Sequence, residues 1–145
     1  MRWEILLFVI ALFFGCTELP DCQDTRYPVA QVRFYAAADS SLLSVDFDSV
    51  FVDGGSLPLY EDTVLSELRL RLDPLASQSS YIFYADSSVD TLDLAYESRI
   101  AIENPDCGPI QYFFGISPVN SSFDSVALIS PTADLRVDIN VEIYR

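Results

Sequence analysis

The sequence predicts an all-β protein, an antiparallel β-sandwich of immunoglobulin-like architecture with about eight strands, preceded by a signal segment. Three observations carry that expectation. After Val29 apolar and polar residues alternate with a period of two, β-branched and aromatic residues crowd the same stretches, and clusters of turn formers separate them. No stretch of that region has the 3.6-residue apolar period of an amphipathic helix.

The clearest strand is LRVDINVEIY at 135–144, where Leu135, Val137, Ile139, Val141 and Ile143 alternate with Arg136, Asp138, Asn140, Glu142 and Tyr144. Side chains on a strand point alternately to its two faces, so this is a half-buried strand. The same alternation runs through LRLRLD at 68–73 and TLDLAYESRIAIE at 91–103. VRFYA at 32–36, LSVDFDSVFV at 43–52, SYIFYA at 80–85, IQYFFGI at 110–116 and DSVALI at 124–129 complete the set by composition. Between them lie DGGSLP, DPLASQSS, DSSVD, ENPDCGP, SPVNSS and SPTAD, rich in residues that favour turns. FDSV occurs at 47–50 and again at 123–126, which reads as recurrent turn chemistry and not as duplication.

The start of the chain has a different character. Arg2 precedes the apolar run Ile5–Gly15, which as a helix is roughly 16 Å long, about half of a ~30 Å hydrocarbon core. That suits a secretory signal and not a lasting span. The run ends in Gly15-Cys16, and the segment resembles a bacterial lipoprotein signal, in which the cysteine is diacylated on its thiol and the chain is cut before it. The expected organisation is therefore a signal peptide at 1–15, an acylated tether at 16–28 and a β-sandwich domain at 29–145.

Charge restricts the partners. The chain carries 22 acidic residues against 8 basic ones, with no histidine and a net charge of −14. All the basic residues are arginines. Such a chain is repelled by phosphate backbones and anionic head groups, which excludes nucleic acid and leaves lipid as the means of membrane attachment. Each buried methylene of an acyl chain contributes about 0.8 kcal/mol, so two or three chains anchor stably. With Cys16 acylated, Cys22 and Cys107 remain as an even pair in a compartment where disulfides persist, and they are expected to bond. A closed loop of about 86 residues stabilises the fold by roughly 4 to 5 kcal/mol on the chain-entropy account. The competing assignment, free or metal-binding thiols, has no histidine and no CxxC to support it.

The order of these features resembles a family of small lipoproteins of Bacteroidetes-type bacteria, a domain of unknown function. The residues that carry the likeness are Cys16, Cys22, the LRLRLDP strand, YESRIAIENPDCGP with Cys107 and Gly108, and the closing DINVEIY. The resemblance implies an envelope location and the sandwich fold, and it transfers no catalytic residue.

Catalytic constellations are removed by the missing residue types. Without histidine there is no Ser-His-Asp or Cys-His unit and no imidazole base; without lysine there is no Schiff base. Carboxylates remain. Asp46 and Asp48 sit two apart on one strand face and Glu61 adjoins Asp62, arrangements open to a glycosidase-like pair or a calcium site but read first as a solvated acidic face. No catalytic residue, metal ligand or cofactor is assigned. The aromatic strands offer more. A sandwich covers only one face of each strand, so residues among Ile82, Tyr84 and Phe113 are expected to face outward as a patch for a protein or a sugar ring. The expected function is a non-enzymatic binding or structural role in a lipoprotein of the bacterial cell envelope, on the outer membrane. The alternatives are a carboxylate-dependent glycan-active enzyme and a calcium-stabilised adhesion module.

Overall fold

A computed structural model describes residues 29–102, 105, 108–133 and 138–145. Cys16, Cys22 and Cys107 lie outside the described residues, as do the segments expected to form a signal peptide and a tether. The fold is all-β, with nine strands in two sheets and no helix among the described residues. In chain order these are β1 (Val29–Tyr35), β2 (Val45–Val52), β3 (Tyr60–Leu65), β4 (Glu67–Arg71), β5 (Gln78–Ala85), β6 (Ser88–Ala101), β7 (Ile110–Ser121), β8 (Ser125–Leu128) and β9 (Val141–Tyr144). The four-stranded sheet runs β4-β1-β9-β8 and the five-stranded sheet runs β3-β2-β5-β6-β7.

Two expectations change. β3 is an additional strand, whose YEDTVL sequence carries acids as its second and third residues. The purely antiparallel arrangement also fails, because β1 and β9 pair in parallel, with Val32 opposite Val141 and Phe34 opposite Ile143. Alternation reports which face a residue occupies and is silent on strand direction. Direction follows from the connection, and parallel neighbours need a long one; here almost the whole described chain lies between β1 and β9. The long strand expected over 135–144 is confined to Val141–Tyr144 among the described residues.

The inner faces of the two sheets share one core. Ala30, Val32 and Phe34 of β1, Leu68 and Leu70 of β4, and Val141 and Ile143 of β9 bury themselves with Val45, Phe47 and Val50 of β2, Tyr81 and Phe83 of β5, and Leu92 and Leu94 of β6. Phe34 is the centre. Its ring lies 5.3 Å from Phe47, 6.0 Å from Phe123 and 6.3 Å from Phe83, so both FDSV segments supply a phenylalanine to the same cluster. Each buried side chain of this size stabilises the fold by about 1.5 to 3 kcal/mol.

Polar side chains close the margins of this core. β4 is an edge strand, and outward backbone groups of β4 and of Asp73 just beyond it meet three tyrosine hydroxyls from the other sheet. Tyr60 accepts from the Arg69 N–H at 2.9 Å and lies 3.1 Å from the Arg69 carbonyl; Tyr81 donates to the Arg71 carbonyl at 2.6 Å; Tyr96 accepts from the Asp73 N–H at 3.0 Å. These tyrosines come from β3, β5 and β6 in turn. Arg69, Arg71 and Asp73 therefore meet β3, β5 and β6 of the other sheet in turn. Burial raises the Tyr81 hydroxyl well above the ordinary tyrosine range, which keeps its proton available for the Arg71 carbonyl.

At the other margin Asn140, 1% exposed, joins three segments. Its Oδ1 accepts from the Gln31 N–H at 2.8 Å, and its Nδ2 donates to the carbonyls of Thr132 at 2.6 Å and Ser130 at 3.1 Å. Its own N–H donates to the Gln31 carbonyl at 2.9 Å. The segment so held covers part of the β7 edge, where Phe113 and Ala133 exchange backbone hydrogen bonds of 3.1 and 2.8 Å.

Candidate functional site

The outer face of the five-stranded sheet carries the candidate site. β5 and β6 are joined by a two-residue turn in which Asp86 and Ser87 both have positive φ, 50° and 66°, the geometry that matches strand twist in a tight hairpin. That turn sets Ala85 opposite Ser88 and so Tyr84 opposite Val89 and Ile82 opposite Thr91. On the other side of β5, β2 places Phe51 opposite Ile82 and Ser49 opposite Tyr84. Phe51, Ile82, Tyr84 and Val89 thus share one face across three strands. The Phe51 and Tyr84 rings meet edge to face at 6.1 Å and 88°, an arrangement favoured by the ring quadrupoles. Tyr84 is 38% exposed and Val89 56%.

Ile82 and Tyr84 therefore occupy the outer face, Ile82 half-buried and Tyr84 exposed. Phe113 does not join them. It is only 3% exposed and packs edge-on against Tyr96 at 5.4 Å, inside the core. The cause is a break in register. The β6–β7 pairing slips between Ala95 and Glu97, and Gly115 adopts a φ of 63° that suits a bulge. Phe113 and Ile116, three apart, then both point inward while Phe114 turns outward, where its ring lies 4.4 Å from the Arg99 guanidinium.

Acidic residues border the patch. Glu61 lies opposite Ser49, and Asp46 lies opposite the exposed Val64. Asp46, Asp48, Glu61 and Asp62 are all exposed, and none makes an ion pair among the described residues. Asp86 and Asp90 differ, because Arg145 approaches them at 3.9 and 3.7 Å and also donates to the Ser88 hydroxyl at 2.6 Å. This clamp holds the β5–β6 turn that sets the register of Tyr84. Among the described residues no group of three or more Cys, Asp or Glu side chains is arranged to hold a metal ion.

Sequence reasoning missed Phe51 and Val89. The Val89 position was readable, since an Asp-Ser pair closing a hairpin puts the residues two before and two after it opposite each other. Phe51 depends on the β2–β5 register, which is non-local. No protein family, curated protein or solved structure matches the chain.

Proposed function

We propose that this chain is a bacterial envelope lipoprotein with a non-enzymatic binding or structural role, which presents the outer face of its five-stranded sheet to an envelope protein or glycan. The observation that carries the reading is the cluster of Phe51, Ile82, Tyr84 and Val89, apolar side chains from three strands meeting on a face that leaves Tyr84 and Val89 exposed. Aromatic residues in such positions are frequent binding anchors. Acylated Cys16 would hold the protein at the outer membrane once residues 1–15 are removed, and a Cys22–Cys107 bond would staple the tether to the domain. Membership of the Bacteroidetes-type lipoprotein family belongs to the same proposal and rests on the sequence features alone.

The finer architecture is part of this reading as well. Two layers around one core support a sandwich with immunoglobulin-like layering. The strand order is its own, since β1 and β2, which pair as neighbours in the immunoglobulin arrangement, belong here to different sheets.

Crosslinking in cells, with identification of the captured partner, tests the role. Joint replacement of Phe51 and Tyr84 by alanine is expected to lower capture by about ten-fold or more. Joint replacement of Asp46 and Asp48 by asparagine should lower capture far less than loss of the two aromatic rings does. A glycan-cleaving activity lost in the asparagine variants would overturn the non-enzymatic reading. For the anchor, Cys16→Ser should remove the lipid mass and membrane retention together; retention with unchanged mass would defeat it.

A further inference from the structure

We infer that the partner of this face is a cationic protein segment, one that sets an apolar or aromatic anchor between arginine or lysine side chains. The inference rests on the proposed binding role of the face and adds the chemistry of what binds. Its basis is the arrangement of charge around the apolar centre. Across the sheet the order is Glu61, Ser49, Tyr84, Val89, each opposite the next. Glu61 is thus two strands, about 10 Å, from Tyr84, within the span of an arginine side chain whose backbone lies over the patch. Asp48 precedes Ser49 on β2, and Asp46 faces the same way. Along the strands Asp93, opposite Ser80, stands one outward position beyond Thr91 and Ile82. Carboxylates therefore stand on two sides of Phe51, Ile82 and Tyr84.

No described cation offsets them. Arg33, Arg69 and Arg71 lie on β1 and β4 of the other sheet, and Arg145 is engaged by Asp86, Asp90 and Ser88. Arg99 is on the same face but roughly 30 Å along β6 from Val89. With a chain charge of −14 behind it, the face repels anionic ligands and speeds the approach of cationic ones. In this division the aromatic centre sets how long the complex lasts, and the acids set how fast it forms.

The test uses the mature protein and three peptides that share a Tyr-Leu centre and differ in flanking residues: arginine, glutamine or glutamate. The arginine peptide is expected to associate at least about ten-fold faster than the glutamine peptide at low salt, with that advantage largely gone at 1 M salt. Replacing Asp46, Asp48 and Glu61 by their amides should slow its association several-fold with little change in dissociation. Replacing Asp124, Asp138 and Glu142 by their amides alters net charge equally and should have a much smaller effect. Phe51→Ala with Tyr84→Ala should instead speed dissociation. Equal association of the arginine and glutamine peptides, or equal effects of the two amide sets, overturns the cationic partner. If the alanine pair still speeds dissociation in that case, the binding face survives; if it changes nothing, both readings fall. Self-association that rises with protein concentration and is lost in the alanine pair would make a second copy of the chain the occupant and would also overturn the inference.

Discussion

The two sheets end in different ways. The β4 margin is sealed: backbone groups of the strand and of Asp73 just past it are met by Tyr60, Tyr81 and Tyr96, whose rings lie in or against the core that the strand covers. The β3 margin is an edge of the five-stranded sheet whose second and third residues are Glu61 and Asp62, with Asp62 at a φ of 45°. One edge is satisfied by hydrogen bonds from within, and the other is guarded by charge and by a kinked backbone. Both devices stop a foreign strand from adding to the sheet, but only the first also contributes to stability. The difference teaches that β4 is tied to the other layer through its backbone, so its exposed side chains, Arg69 and Arg71, are free to vary, whereas β3 depends on the identity of two side chains.

The largest effect is expected where a polar seal is removed from the core. Asn140→Ala leaves the Gln31 N–H and the Thr132 carbonyl without their side-chain partner, at about 1 to 3 kcal/mol for each buried group. A loss of about 3 kcal/mol and a fall in Tm of roughly 10 °C should appear in thermal unfolding. Asn140→Asp keeps the acceptor and loses the donor, so it separates the two contributions.

Tyr81→Phe comes next, with a loss of about 1 to 2 kcal/mol from the missing donor to Arg71. It carries a pH signature too. The folded Tyr81 has a raised pKa, so the folded state keeps a proton that the unfolded chain releases above about pH 10. Its stability contribution is complete below that pH and is lost as the pH climbs toward the folded value. Denaturant titrations from pH 9 to 11 should show stability falling in the parent and falling less in Tyr81→Phe. Equal slopes would remove Tyr81 as the titrating group.

The smallest change in stability belongs to β3, where Glu61→Thr is expected to stay within about 0.5 kcal/mol of the parent. Its consequence is solubility. With the charge gone, light scattering at high concentration should rise, while a matching Glu142→Gln change on the other sheet should leave it unaltered.

Much of the core was readable from alternation, because residues such as Phe34, Leu70, Tyr81 and Ile143 lie on strands whose period is unbroken. The errors fall where the period breaks or where information is non-local. Gly115 shifts the phase of β7, which moved Phe113 from the expected outer patch into the core. The acids at positions 61 and 62 hid β3. The parallel contact of β1 with β9 had no local trace. In the candidate site, Ile82 and Tyr84 follow from one strand's pleat and Val89 from one turn, but Phe51 required knowing which strand lies beside β5.

The placement of β9 also sets a timetable. It lies between β1 and β8, so β1 gains one of its two sheet neighbours only after the seven strands described between them have been made. Closing a loop of about a hundred residues is slow and costs entropy before any contact rewards it. Until β9 emerges, one side of β1 has no native strand to bond, and the four-stranded sheet cannot close. A domain built this way completes its four-stranded sheet only after every strand of the five-stranded sheet has been made.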